Sequence, residues 1–298
     1  MGNANYTVER WHVVLVAYLI LVLAAAVNVR GRFLLENMSR IMIIFNLVSF
    51  VIVVVAVLAR DDRKQSAAFV FKDFQNFTGF GTAYASLLGI LQAAFGMTGY
   101  DAAAHLSEEM RNARRDVPKA IVASVYVGSI TGFVFLISLC FCIVDIDAVA
   151  ATPTGVPFFA ILQQATNSNG LAGFLAGCVT VISLISLCFL ATQSSRVIFA
   201  FARDGGLPFS KVISRIDPKT HTPNVAILLV LVVNVALLAI YFNSVEGFST
   251  VAAICTEAFC KSHAMRSKDL EDSDRNRSII HHASLGPCLG SPQRSRHR

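Results

Sequence analysis

The stretch that decides the fold runs from Ala83 to Ile121, AYASLLGILQAAFGMTGYDAAAHLSEEMRNARRDVPKAI. Its first half is apolar enough to enter a bilayer, yet Gly96 and Gly99 fall at mid-run and Asp101 follows before any polar boundary. In hydrocarbon an unsatisfied backbone group costs several kcal/mol, so a glycine-loosened break is tolerated only where protein or a water-filled cavity surrounds it. A carboxyl at that depth is also expensive and marks a functional site with a partner to be found. The pattern predicts a spanning segment interrupted near its glycines.

The rest of the chain agrees with a membrane setting. Of 298 residues, 55% are hydrophobic and 15% charged, with a mean hydropathy of +0.60, which is not the balance of a soluble domain. Windows of about 20 residues, the length that crosses a hydrocarbon core of about 30 Å, predict spans at Trp11–Asn28, Ile41–Ala59, Ala83–Leu106, Val122–Val144, Leu171–Phe199 and Val225–Phe242. A seventh starts at Phe248 and stops short at Phe259. The fold class is therefore all-α and polytopic, with the lipid bilayer as a partner.

The net charge of +6 does not require nucleic acid, because the basic residues sit mostly in short loops between spans, as positive-inside placement demands. Taken alternately, the loops holding Arg30, Arg111 and Lys211 are expected inside and the first residue outside. The connection from Asp145 to Gly170 lacks lysine and arginine and is expected outside; within it Val156–Thr166 predicts a short amphipathic helix over a vestibule. Phe69, Phe71, Phe74, Phe77 and Phe80 suggest an aromatic belt at the outer surface. Asp116 and Pro118 are expected to open the fourth span, and Thr222 and Pro223 the sixth. The glycines and hydroxyl residues of Leu171–Phe199 suggest close helix packing. Asp204, Gly205, Gly206 and Pro208 predict a glycine stop after it.

Cysteines inside apolar spans behave as small hydrophobes and not as a disulfide framework. Cys255, Cys260 and His263 lack a second pair of ligands, so no metal is expected. Neither a nucleotide-binding glycine loop nor a catalytic triad order occurs, so neither an enzyme nor a cofactor is expected. The N-terminus lacks the features of a secretory signal, so the first span is expected to be retained. The domain reading is a membrane part, residues 1–254, and a tail, residues 255–298, that is polar, aperiodic and expected to be disordered, with a doubtful reading frame.

Three separated motifs, FGMTGYDAAAHLSEEMRNARRDVPKAI, TPTGVPFFAILQQAT and SSRVIFAFARDGGLPFSKVISRIDPKTHTPNVA, occur in order between the expected spans. Over about Tyr6–Ile254 they make the chain resemble the amino acid–polyamine–organocation superfamily, and within it the fungal GABA, amino acid and choline permeases. The resemblance implies a LeuT-like fold, with two inverted repeats of five helices and a midplane site between discontinuous helices. By that pattern this chain runs from the family's fourth helix to the start of its tenth. About six to seven of twelve helices would be present, in a truncated transporter of the plasma or vacuolar membrane.

The resemblance also implies a substrate site in the broken helix, lined by Gly96, Met97 and Gly99, with Phe95 as an aromatic cover. Read without it, the two glycines serve either a break or close helix packing. Asp101 has three readings: a partner for a cationic substrate, the carrier of a coupled proton, or a cap on the second half-helix. His105, one turn on, reads as an interfacial histidine, and Glu108 and Glu109 beside Arg111, Arg114 and Arg115 as a charge cluster resembling part of an inner gate. Two functions follow: a secondary transporter of amino acids or small amines, or a non-transporting membrane protein that only packs against other helices.

Overall fold

The computed structural model describes residues 9–30, 32–60, 64–76, 78–107, 110–150, 152, 156–258, 261 and 265. Its helices are α1 (Arg10–Arg30), α2 (Arg32–Arg60), α3 (Ala67–Phe71), α4 (Thr82–Gly96), α5 (Ala102–His105), α6 (Ala113–Phe141), α7 (Ile146–Ala150), α8 (Pro157–Thr166), α9 (Asn169–Arg203), α10 (Ser210–Ile213) and α11 (Asn224–Asn243). Among the described residues there is no strand. Five segments, α1, Leu35–Arg60 of α2, α6, α9 and α11, are long and apolar enough to cross a membrane. They contain or closely match five of the six predicted spans, and the sixth, Ala83–Leu106, is divided between α4 and α5.

The boundaries that differ do so for local reasons. Helix α2 starts well before Ile41, because Glu36 and Arg40 are stacked one turn apart as an ion pair of 3.0 Å that carries the helix beyond its apolar part. Helix α6 opens at Asn112 and not at Asp116 and Pro118 as expected. The amides of Arg115 and Asp116 both bond the Asn112 carbonyl at 3.0 Å, leaving Asp116 in the first turn, where a carboxylate suits the helix dipole. Pro118 therefore lies inside the helix. The N-cap of α11 is Pro223, expected to open the helix; Thr222, expected as the cap, instead bonds Asn224 Oδ1 at 2.8 Å, while Asn224 Nδ2 donates to Asp217 Oδ2 at 2.8 Å.

Helix α9 is the axis of the fold, packing against α1, α2, α5, α8, α10 and α11. Its buried face runs through Ala172, Leu175, Cys188, Ser195 and Ala202, and the last three recur every seventh residue, as on one stripe of a helix. Gly173 and Gly177 do not serve close packing within the described residues, for a Cβ added at either would meet nothing within 4 Å. The predicted glycine stop is present in detail. Gly205 takes a φ of +79°, its amide bonds the Ala202 carbonyl, and the Gly206 amide reaches the Phe201 carbonyl, both at 3.0 Å, the two bonds of a Schellman closure.

One core cluster joins Val53 and Val57 of α2, Cys142, Leu162 and Ala165 of α8, and Ala172 and Leu175 of α9. The short amphipathic helix is thus α8, and its apolar face is packed onto α2 and α9. Elsewhere the long helices show large apolar side chains outward, on α6 alone Tyr126, Val127, Ile130, Phe133 and Leu136, each over 60% exposed. In water so extensive an apolar surface would aggregate, whereas in lipid it is solvated. Phe71, Phe74 and Phe80 are likewise exposed, as an aromatic belt requires; Phe77 lies outside the described residues.

Antiparallel pairing follows from the cross-links. Arg10 Nη1 donates to the Asn243 carbonyl at 3.1 Å and Tyr18 Oη to the Val235 carbonyl at 3.4 Å, so α1 and α11 run in opposite directions. The Gln65 amide donates to the Phe141 carbonyl at 2.9 Å, joining the outgoing end of α2 to that of α6. Both contacts agree with the alternation expected from the basic loops.

By compactness the chain divides at Phe248/Ser249. In the second unit residues 249–258 are helical, and 255–258 of the predicted tail belong to that helix. Cys260, His263 and nearly all of the tail beyond them lie outside the described residues, as do Glu108 and Glu109.

Candidate functional site

The glycine-containing stretch is broken where the sequence places the break. Helix α4 has 15 residues and rises about 22 Å, less than a hydrocarbon core. Its ladder closes with the Met97 amide on the carbonyls of Ala94 and Phe95, then Thr98 on Phe95 at 3.1 Å. A second tight turn follows, with Ala102 on Gly99 at 3.1 Å and Ala104 on Asp101 at 2.8 Å, and leads into α5. Residues 97–101 form no continuous helix.

Gly99 is the residue that permits the turn. Its φ is +91°, and a Cβ there would stand 3.7 Å from Leu190 Cδ2, an ordinary contact. The demand for glycine is therefore conformational and not a matter of space. Gly99→Ala is expected to destabilise the fold by about 1–2 kcal/mol, read as a lower unfolding midpoint in detergent, whereas Gly96→Ala, whose Cβ would meet nothing within 4 Å, is expected to leave that midpoint unchanged within about 0.5 kcal/mol. Close packing at Gly96, one of the two readings of the pair, has no support among the described residues.

The sequence-derived site residues fall in one seven-residue segment but in different surroundings. Phe95 and Gly96 end α4, and Phe95 is 49% exposed. Met97 is the C-cap of α4. Asp101 is 4% exposed. It stands at the N-cap of α5, yet its side chain makes no cap hydrogen bond. Instead Asp101 Oδ2 lies 3.0 Å from His105 Nε2, one turn ahead. An ionised carboxylate can only accept, so Nε2 carries the proton in this bond. The capping role is thus not the one the side chain performs, and His105, set aside in the sequence as interfacial, is the carboxylate's neighbour. The clue was available: Asp and His at positions i and i+4 of a helical segment face each other.

Around the break, α5 packs on α6 and α9, and the Ser124 hydroxyl of α6 reaches the Tyr100 carbonyl at 3.3 Å. Leu190, beside Gly99, also lines a cavity of about 180 Å³ between α1, α9 and α11, with Ala24, Leu187, Ser194, Ile227 and Asn234. A buried polar bridge stands near it, also unsuspected from sequence. Asn28, 3% exposed, donates from Nδ2 to the carbonyls of Ala24 (2.9 Å) and Cys188 (3.1 Å), and its Oδ1 accepts from the Thr192 hydroxyl at 2.6 Å. The signal was an asparagine ending a predicted span, which the span's hydropathy absorbed without asking for its partner. At the far end of the segment, Arg111, Arg114 and Arg115 surround an open depression of about 380 Å³ at the start of α6. Among the described residues, no group of three or more acidic, histidine or cysteine side chains could hold a metal ion.

A family model described as amino acid permease matches residues 1–264. The chain belongs to the amino acid permease family. It is a multi-pass membrane protein, as the apolar helices and the family together require. Among relatives, a Macrophomina phaseolina (strain MS6) protein named as an amino acid/polyamine transporter is 50% identical over 270 residues, covering 89% of this chain and 60% of that protein. The choline transporter of Saccharomyces cerevisiae is 32% identical, covering 75% of this chain and 40% of its own length. An amino-acid permease of Schizosaccharomyces pombe is 30% identical, covering 88% and 49%. The permease chain spans about half the length of these curated relatives, and the relatives are named as transporters or permeases, not enzymes.

Proposed function

We propose that this permease chain carries part of the substrate site of a secondary transporter for amino acids or small amines. Phe95, Gly96, Met97, Gly99 and Asp101 form one wall of that site. The observation that supports it is the break at residues 97–101, which brings a 4%-exposed carboxylate into a segment too apolar to leave the bilayer. A broken helix frees backbone carbonyls and amides that a polar solute can meet, and irregular backbone at membrane depth is tolerated where it lines a cavity. Gly96, with open space where a side chain would be, lets a solute approach the backbone, and the half-exposed Phe95 ring is free to cover it. The relatives named for choline and for amino acid and polyamine transport direct the choice of substrate class toward small ammonium compounds. Transport would proceed by rocking one set of helices against another around the site.

The test is uptake of labelled choline, putrescine and GABA into proteoliposomes containing this chain, under an imposed proton or cation gradient, against empty liposomes. Gradient-dependent uptake of at least one of them is the expected result. Neither uptake nor binding of any would overturn the proposal and leave the rival, a membrane protein that packs against other helices without moving a solute.

A further inference from the structure

We propose that the cleft between α2, α6 and α9 binds a small neutral amphiphile from the bilayer, an apolar molecule carrying one hydroxyl group. The site is separate from the broken segment, so the inference goes beyond the proposed function. The cleft has a volume of about 220 Å³. Phe50, Phe135, Val179 and Ile182 give it apolar walls, and Asn46, Ser49 and Thr131 give it polar atoms. Among the described residues no charged side chain lines it.

Ser49 is the decisive residue. It is 2% exposed, yet its hydroxyl has no hydrogen-bond partner among the described residues. A serine inside a helix can return its proton to the carbonyl one turn back, as Ser138 does to Val134 at 2.7 Å and Ser183 to Val179 at 2.9 Å. Ser49 does not, and the cleft it lines is the space left for a partner. Asn46, on the same face of α2 three positions earlier, also has no partner among the described residues. It stands midway along α2 (Arg32–Arg60), at a depth where lipid chains offer no hydrogen bond. Thr131 donates to the Val127 carbonyl at 2.7 Å, which leaves its oxygen able to accept. A buried polar group without a partner is costly, so an occupant that supplies one is favoured.

The same features select the occupant. A cavity of about 150 Å³ takes a benzene-sized molecule, so this cleft takes a body of about nine non-hydrogen atoms, the size of a medium-chain alcohol. A cation there would lose its water without meeting a counter-charge. Beside the cleft Val48 and Val51 of α2 and Ile130 and Phe133 of α6 are exposed, so the way in is from lipid and not from water.

Photolabelling of the full chain in nanodiscs with 3-azioctanol tests this, with adducts mapped by mass spectrometry. Adducts are expected on α2 and α6 around the cleft. There n-octanol should suppress them at about 5-fold lower membrane concentration than n-octane, the effect of one hydrogen bond. Ser49→Ala should weaken suppression by n-octanol about 5-fold and leave that by n-octane unchanged. Gly132 also lines the cleft, and a Cβ there would meet nothing within 4 Å. Gly132→Leu should therefore fill the space, reduce the adducts about 10-fold and keep the unfolding midpoint. A cleft holding only water would give no adducts there. That result overturns the proposal, as do adducts spread evenly over the spans, equal potency of n-octanol and n-octane, or suppression by n-octanol unchanged in Ser49→Ala. Failure of choline, putrescine and GABA to bind would overturn the proposed function and leave this site standing.

Discussion

Asp101→Asn is expected to weaken binding of a cationic amine to this chain by about 10- to 100-fold, while leaving the fold in place. The size follows from what the substitution removes. An ammonium bound to a carboxylate away from bulk water gains a charge-assisted contact of about 1.5–3 kcal/mol, and each 1.4 kcal/mol is about ten-fold in affinity. The fold is spared because Asp101 does not cap α5, and asparagine keeps an oxygen that can accept from His105 Nε2. A neutral amino acid carrying its own carboxylate should lose less, since part of its charge is not met by Asp101. Isothermal titration or scintillation binding with choline, putrescine and a neutral amino acid reads both effects. Equal affinity for choline in the two chains would remove Asp101 from the site. A fall in the unfolding midpoint of several degrees would instead show that the carboxylate serves structure.

The second large effect is expected at the bridge between α1 and α9. Asn28→Ala removes two bonds that cross between the helices, to the Cys188 carbonyl and the Thr192 hydroxyl, and a third within α1 to Ala24. Bonds between helices in lipid are worth about 0.6–1.7 kcal/mol each, and truncation also strands the Thr192 hydroxyl's partner role. A loss of about 1–3 kcal/mol is therefore expected from Asn28→Ala, measured by reversible unfolding in mixed micelles. Thr192→Val should lose about half as much, because the Cys188 carbonyl keeps its bond from Asn28 while the Thr192 hydroxyl's contacts with Asn28 Oδ1 and, within α9, with the Cys188 carbonyl disappear. The two changes share one bond, so the double variant should lose less than the sum. Additive losses would mean that the bridge is not a unit. The expectation matters for the site, because the Cys188 to Thr192 turn of α9 also carries Leu190, the neighbour of Gly99.

How much of this was legible beforehand differs by element. The long spans were, because an unbroken apolar run has one stable outcome in lipid, and α1, α9 and α11 end within a few residues of their hydropathy windows. The break was also legible: two glycines and an acid inside such a run leave few alternatives, and the positive φ of Gly99 is the conformation that calls for glycine. Helix starts were less so. Asp116 and Pro118 had the chemistry of an opening turn, but nothing in Asn112–Arg115 stops a helix, so α6 begins where its amides find the Asn112 carbonyl. Side-chain partnership was the least legible. Asp101 as a cap and as a partner of His105 occupies the same sequence position, and Asn28 finds Cys188 and Thr192 across 160 and 164 positions of sequence. The glycines of α9 suggested close packing, yet Gly173 and Gly177 face open space among the described residues, because small residues permit contact without requiring it.

Substrate protection at the break tests the central claim most directly. In a chain whose own cysteines are replaced, single cysteines at Gly96, Thr98 and, as a control in α2 that lines a separate pocket with residues of α6 and α9, Asn46 would be labelled with a membrane-permeant thiol reagent, with and without saturating choline or putrescine. The proposed site predicts that the solute slows labelling at positions 96 and 98 by about 5-fold or more, as occupancy above 80% requires, and leaves position 46 unchanged. Equal labelling rates at all three positions, with binding of the solute confirmed in the same sample, would contradict it and place the substrate elsewhere in the chain.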